Sequence, residues 1–108
     1  ILPSAHEGLP CVLMEALACG TPVVSTDCSY GPRDILQNGR YGTLTPVGDA
    51  PAMAAAIAAA LDQVPDRPFL MARGLDYTTA KAADRFLEIL ADVKGPLRGE
   101  TFAIGGAA

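Results

Sequence analysis

The segment from Pro10 to Gly20 constrains the fold more than any other part of the chain. Cys11-Val12-Leu13-Met14-Glu15-Ala16-Leu17-Ala18-Cys19 is strongly helix-forming and nearly all apolar. Pro10 suits the first helical turn, and Gly20 suits the residue just past the end. Short apolar runs flank this helix. Ile1-Leu2 reads as a strand stub and Pro22-Val23-Val24-Ser25 as a short β-branched strand. Strand, loop, helix and strand in that order imply parallel strands joined by a right-handed crossover.

Downstream, Gly31-Pro32 should open a short helical turn through Leu36, and Asn38-Gly39 a turn in which both residues tolerate positive φ. Tyr41 to Leu44 reads as one more short strand. Asp49 should cap a helix with Pro51 in its first turn and a buried stripe of Met53, Ala56, Ile57, Ala60 and Leu61. Pro65 and Pro68 punctuate a helical piece near Phe69 to Arg73. Thr78 is expected to cap a last helix. There Ala83, Phe86, Leu87, Leu90 and Val93 lie on one face, and Lys81, Asp84, Arg85, Glu88 and Asp92 on the other. From Lys94 the chain reads as a tail. The expected organisation is one domain over 1–93 and a tail over 94–108. The fold class is α/β: a partial Rossmann-like layer of few short parallel strands with several helices.

Composition narrows the function. The 108 residues are 50% hydrophobic and 19% charged, too apolar for a disordered tail. Gly, Pro or polar residues break every apolar run well short of the ~20 residues of a membrane span. A net charge of -4 and a pI near 4.7 exclude a clustered basic face for nucleic acid. Cys11, Cys19 and Cys28 lack ligand-like spacing, so neither a disulfide framework nor a metal site is expected, and a reducing cytoplasm fits. The chain opens Ile1-Leu2-Pro3-Ser4 inside an apolar segment, which reads as a piece of a longer protein. Strands expected upstream would leave an open sheet edge here, and such edges favour self-association.

Chemistry concentrates in Glu7-Gly8-Leu9-Pro10 and in Glu15. The neighbours of Glu15 are all apolar, which places its carboxylate near a core or cleft as an acceptor for ligand hydroxyls, or else on one wet stripe of the helix. Gly8 permits a close backbone approach or a strained turn. Pro10 has no N–H, so Cys11 and Val12 carry the first free amides of a helix tip suited to phosphate. The alternative is an ordinary strand-to-helix turn. Glu7 and Glu15 are too far apart to share a proton and suit two ends of one extended ligand. His6 is either a ligand contact or a solvated loop residue. Asp27 and Cys28 either brace the site or form a turn.

Ser4-Ala5-His6-Glu7-Gly8-Leu9-Pro10 followed by Glu15-Ala16-Leu17-Ala18-Cys19-Gly20-Thr21-Pro22-Val23-Val24 resembles the E-x7-E region of family 4 (group 1) retaining glycosyltransferases, of GT-B fold. The likeness continues through Gly31-Pro32-Arg33-Asp34-Ile35-Leu36, Asn38-Gly39, Tyr41-Gly42 and Pro46-Val47-Gly48-Asp49, about the first half of the chain in linked order. The resemblance implies transfer of a sugar from a nucleotide donor, UDP-sugar by default, to a glycan or lipid-linked acceptor. It implies retention at the anomeric carbon and no metal or other cofactor.

By the same resemblance, Glu7 would touch the donor sugar and support charge at its reacting carbon, and Glu15 would hold the ribose hydroxyls. The backbone at Gly8 and Leu9 would meet sugar hydroxyls, and the Cys11 and Val12 amides the diphosphate. Asp34 stands where the family commonly has Glu. No Lys or Arg precedes Arg33, so the family's basic pair, like its acceptor domain, is expected upstream. The setting implied is cytoplasmic, at the inner face of the membrane. The alternatives are an inactive binding or scaffold module of the same fold, a GT-B-like sugar-nucleotide epimerase, and a nucleotide-free α/β domain with a coincidental motif.

Overall fold

The computed structural model describes residues 1–94. Its elements are α1 (Cys11–Ala18), β1 (Val24–Thr26), α2 (Pro32–Ile35), β2 (Thr43–Thr45), α3 (Ala50–Asp62), α4 (Arg67–Gly74), a 3-10 turn (Leu75–Tyr77) and α5 (Thr79–Lys94). The chain divides into two compact units, one ending at Thr78 and one beginning at Thr79. Lys94 still belongs to α5, and the tail expected beyond it lies outside the described residues.

The sheet of the first unit is parallel. β1 pairs with β2 in the register Val24 to Thr43, Ser25 to Leu44 and Thr26 to Thr45. On the other side of β1, the Leu2 amide donates to the Val24 carbonyl and the Thr26 amide to the Leu2 carbonyl, both at 2.9 Å. Leu2 is thus the strand stub, in parallel register with Ser25, and β1 is central. Its three residues are all buried, as the middle strand of a parallel layer requires.

The helix ends follow local chemistry. Pro10 stands one position earlier than expected, at the cap of α1, and its carbonyl accepts from the Leu13 amide. At the other end Gly20 adopts φ +68, its amide donates to Leu17 and the Thr21 amide to Ala16. This closing motif satisfies two otherwise orphaned carbonyls and needs a residue free of Cβ strain. The Asp49 and Asp66 side chains accept from the amides of Ala52 and Phe69, capping α3 and α4.

The core joins Leu13 and Leu17 of α1, Val23, Ile35 and Leu36 beside α2, and Leu70 of α4. α1 and α4 meet where Gly74 faces Ala18, at a separation that leaves no room for a Cβ. Tyr41 and Phe69 stack with centroids 4.6 Å apart, and Arg40 lies over both rings. The stripe expected on α3 is shallower than foreseen. Met53, Ala56, Ile57 and Ala60 are half-buried and Leu61 is 80% exposed, because α3 covers the sheet on one side with small Ala side chains. In the second unit, α5 carries Phe86, Leu87, Leu90 and Val93 along one face, and Arg85 meets Glu88 at 3.5 Å on the other.

Candidate functional site

The site is built by the loop between the strand stub and α1. Thr26, 4% exposed at the end of β1, donates its hydroxyl to the Ser4 carbonyl. The Ser4 hydroxyl in turn donates to Glu7 Oε1 at 2.6 Å. A buried strand residue therefore fixes the loop, and the loop aims a half-buried carboxylate. Farther on, a parallel bridge joins His6 to Ser29, so the loop runs alongside the segment after β1.

Gly8 is not in a left-handed conformation, which removes the strained-turn reading. A Cβ built there would meet nothing within 4 Å, so the backbone at Gly8 faces open space and a ligand can approach it closely. Leu9 is exposed and Pro10 buried. α1 then begins with no side-chain cap and no acidic residue in its first turn. Among the described residues the Cys11 and Val12 amides have no acceptor. They are the orphan donors of a helix start and sit at its positive end. This tip differs from those of α3 and α4, which carry Asp caps.

Glu15 is exposed. The expectation of a carboxylate in a core or cleft is overturned, because α1 has a wet stripe after all. Leu13 and Leu17 face the core, while Cys11, Val12, Glu15 and Cys19 share the open face and Ala18 lies at its edge against α4. Positions four apart on a helix lie one above the other. Glu15 therefore stands one turn above Cys11, roughly 6 Å up the axis, on the open face of α1. The structure brings Glu7, Gly8, Leu9, Cys11 and Val12 together at one loop-and-tip, and sets Glu15 on the helix face leading away from it.

Several contributors escaped the sequence reading. Ser4 and Thr26 orient Glu7; the Ser-x-x-Glu spacing was a signal, since it recurs where a hydroxyl and a carboxylate organise a chain turn. Gly31, with φ +92, sits so close to Pro10 and the Gly8 carbonyl that a Cβ would fall 2.4 Å from Pro10 Cδ. It wedges the start of α2 against the site loop. Asp27 proves to be a brace. Its carboxylate takes both a 3.0 Å hydrogen bond from Arg33 Nε and a second from the same guanidinium, and this bond and charge raise the pKa of Arg33 further. His6 is exposed, and Asp34 gives its carbonyl to Arg73 at 2.9 Å. Among the described residues, no three His, Cys, Asp or Glu converge as metal ligands, and no helix is long and apolar enough to cross a membrane.

This loop-and-tip lies within a segment, residues 1–63, that matches the family described as Glycosyl transferases group 1. The chain belongs to that family. Relatives of the group 1 glycosyltransferases include the lipopolysaccharide core biosynthesis glycosyltransferase LpsE of Rhizobium meliloti, 34% identical over 96 residues that cover 84% of this chain and 28% of the relative. The lipopolysaccharide 1,6-galactosyltransferase of Salmonella typhimurium is 48% identical over 44 residues, 41% of this chain and 12% of that protein. The putative colanic acid biosynthesis glycosyltransferase WcaL of the same organism is 50% identical over 52 residues, 48% and 13% respectively. The chain thus spans between about an eighth and a quarter of these group 1 relatives.

Proposed function

We propose that this chain forms the donor-side part of a retaining, metal-independent glycosyltransferase. The full-length protein would move a sugar from a nucleotide donor, a UDP-sugar by default, to a glycan or lipid-linked acceptor. The observation that carries the reading is the juxtaposition at α1: an aimed carboxylate, an open glycine and two free amides at one helix tip, with a second carboxylate on the face behind them.

The chemistry follows. The bond from the anomeric carbon to the diphosphate oxygen breaks, an acceptor hydroxyl oxygen bonds to that carbon, and the hydroxyl proton passes to the departing diphosphate. Positive charge grows at the carbon, and Glu7 is the carboxylate that would stabilise it. Negative charge grows on the departing diphosphate, and the Cys11 and Val12 amides with the helix dipole meet it. Backbone at Gly8 and Leu9 takes the sugar hydroxyls. Glu15 accepts from the ribose hydroxyls of the nucleotide. The relatives are named for lipopolysaccharide and colanic acid biosynthesis, which supports an acceptor of that class here; the setting we propose is the cytoplasmic face of the membrane.

The test uses the full-length protein that carries this chain, with UDP release from UDP-galactose and UDP-glucose as the readout. Glu7→Gln should lower turnover by about 100-fold or more, the scale of losing one preorganised charge-stabilising group. Its melting temperature should be unchanged. Glu15→Ala should raise the donor KM by roughly tenfold or more, as loss of hydrogen bonds to a charged group does. Undiminished turnover in Glu7→Gln overturns the assignment.

A further inference from the structure

We propose that Tyr30 is an aromatic platform for a pyranose ring at the reacting end of this site, an inference that rests on the reading of Glu7 given above. Three independent features of the segment after β1 point to it. Tyr30 adopts φ +64, a left-handed conformation that a bulky side chain rarely takes. Such outliers persist only where the surroundings over-determine them, and they gather at ligand sites. The side chain held in this way is 81% exposed, and among the described residues its hydroxyl has no hydrogen-bond partner. The conformation therefore presents a ring to solvent and gains no packing from it.

The loop that holds Tyr30 is tied to its surroundings at several points. The Asp27–Arg33 ion pair closes it across its two ends. Gly31 locks it against Gly8 and Pro10. The bridge from His6 to Ser29 sets this segment alongside the loop that carries Glu7. A hollow of about 320 Å³, lined by Asp27, Cys28, Tyr30, Gly31, Arg33 and Asp34, opens beside the ring. A pyranose presents one face of C–H bonds that packs on an aromatic ring, while its hydroxyls reach polar groups at the rim. Tyr30 supplies such a face on the segment that Gly31 and the His6–Ser29 bridge hold against the loop of Glu7. The pyranose is either the donor's sugar or the acceptor's.

Calorimetry on the full-length protein separates these sources. UDP, UDP-galactose, UDP-glucose and, with UDP present, methyl α-D-galactopyranoside and methyl β-D-glucopyranoside are titrated into wild type, Tyr30→Gly and Tyr30→Phe. Glycine suits a left-handed φ, so Tyr30→Gly should melt no lower than wild type. Loss of an aromatic contact weakens binding by roughly two- to tenfold. That loss in Tyr30→Gly for the UDP-sugars alone, with UDP unchanged and Tyr30→Phe close to wild type, assigns the platform to the donor sugar. The same pattern for a methyl glycoside assigns it to the acceptor. Unchanged affinities in Tyr30→Gly, or a lowered melting temperature, overturn the proposal while leaving the Glu7 assignment intact. Failure of wild type to bind UDP or either UDP-sugar overturns both.

Discussion

Arg73 shows how a single side chain can hold distant segments in place. Its guanidinium donates to the Ile35 and Asp34 carbonyls at 2.9 Å each and to the Tyr77 hydroxyl at 2.6 Å, and it pairs with Asp76. Both carbonyls lie in the last turn of α2, and that of Ile35 takes no backbone amide among the described residues, so α4 satisfies a group that α2 cannot satisfy alone. Burial raises the pKa of Tyr77 above its ordinary value of 10.0, with the Arg73 charge opposing that shift. A phenol whose folded pKa is raised contributes stability that is complete below the unfolded value and is lost as pH rises through the folded one. Thermal melts should therefore show wild type losing stability above about pH 10, with a slope that Tyr77→Phe removes. At this scale Glu7 and Glu15 stood out as carboxylates beside an apolar helix, but the open setting of Glu15 did not. Arg73 was not, because its partners are backbone carbonyls 38 and 39 residues away, which no local pattern reveals.

Helix ends were the most legible elements. Pro10, Gly20, Asp49 and Gly31-Pro32 each marked a boundary by a backbone property that works locally. The wet stripe of α1 was illegible, because Ala and Cys read as apolar whether they face a core or water. The length of α4 was understated for a related reason: Asp66 caps it and Gly74 ends it, and a glycine there reads as a breaker. In the fold Gly74 is a contact residue. A Cβ on it would fall 2.3 Å from the Ala18 nitrogen. Gly74→Ala must push α1 and α4 apart, and we expect a loss of about 3 kcal/mol, the upper range for overpacking, in urea denaturation.

At the scale of the whole molecule, the site has little positive charge to offer an anion. Arg33, the first cation in the sequence, is engaged by Asp27. What remains at the α1 tip is the helix dipole, worth about 0.3–2 kcal/mol toward an anion, well under the roughly 4.1 kcal/mol of a 1 mM complex. The 108-residue chain titrated with UDP should show no saturation below about 1 mM, and tighter binding would show that the half-site is self-sufficient. The parallel layer was legible in outline, since three short β-branched runs around one apolar helix admit few arrangements. The division after Thr78 was not, because the amphipathic pattern of α5 continues that of the helices before it.

The tight seat of Ala18 on Gly74 has one more effect. Because α4 grips α1 from behind at backbone distance, nothing needs to cross its front to hold it. The helix behaves as a cantilevered shelf, clamped along its rear edge and bare along its leading edge.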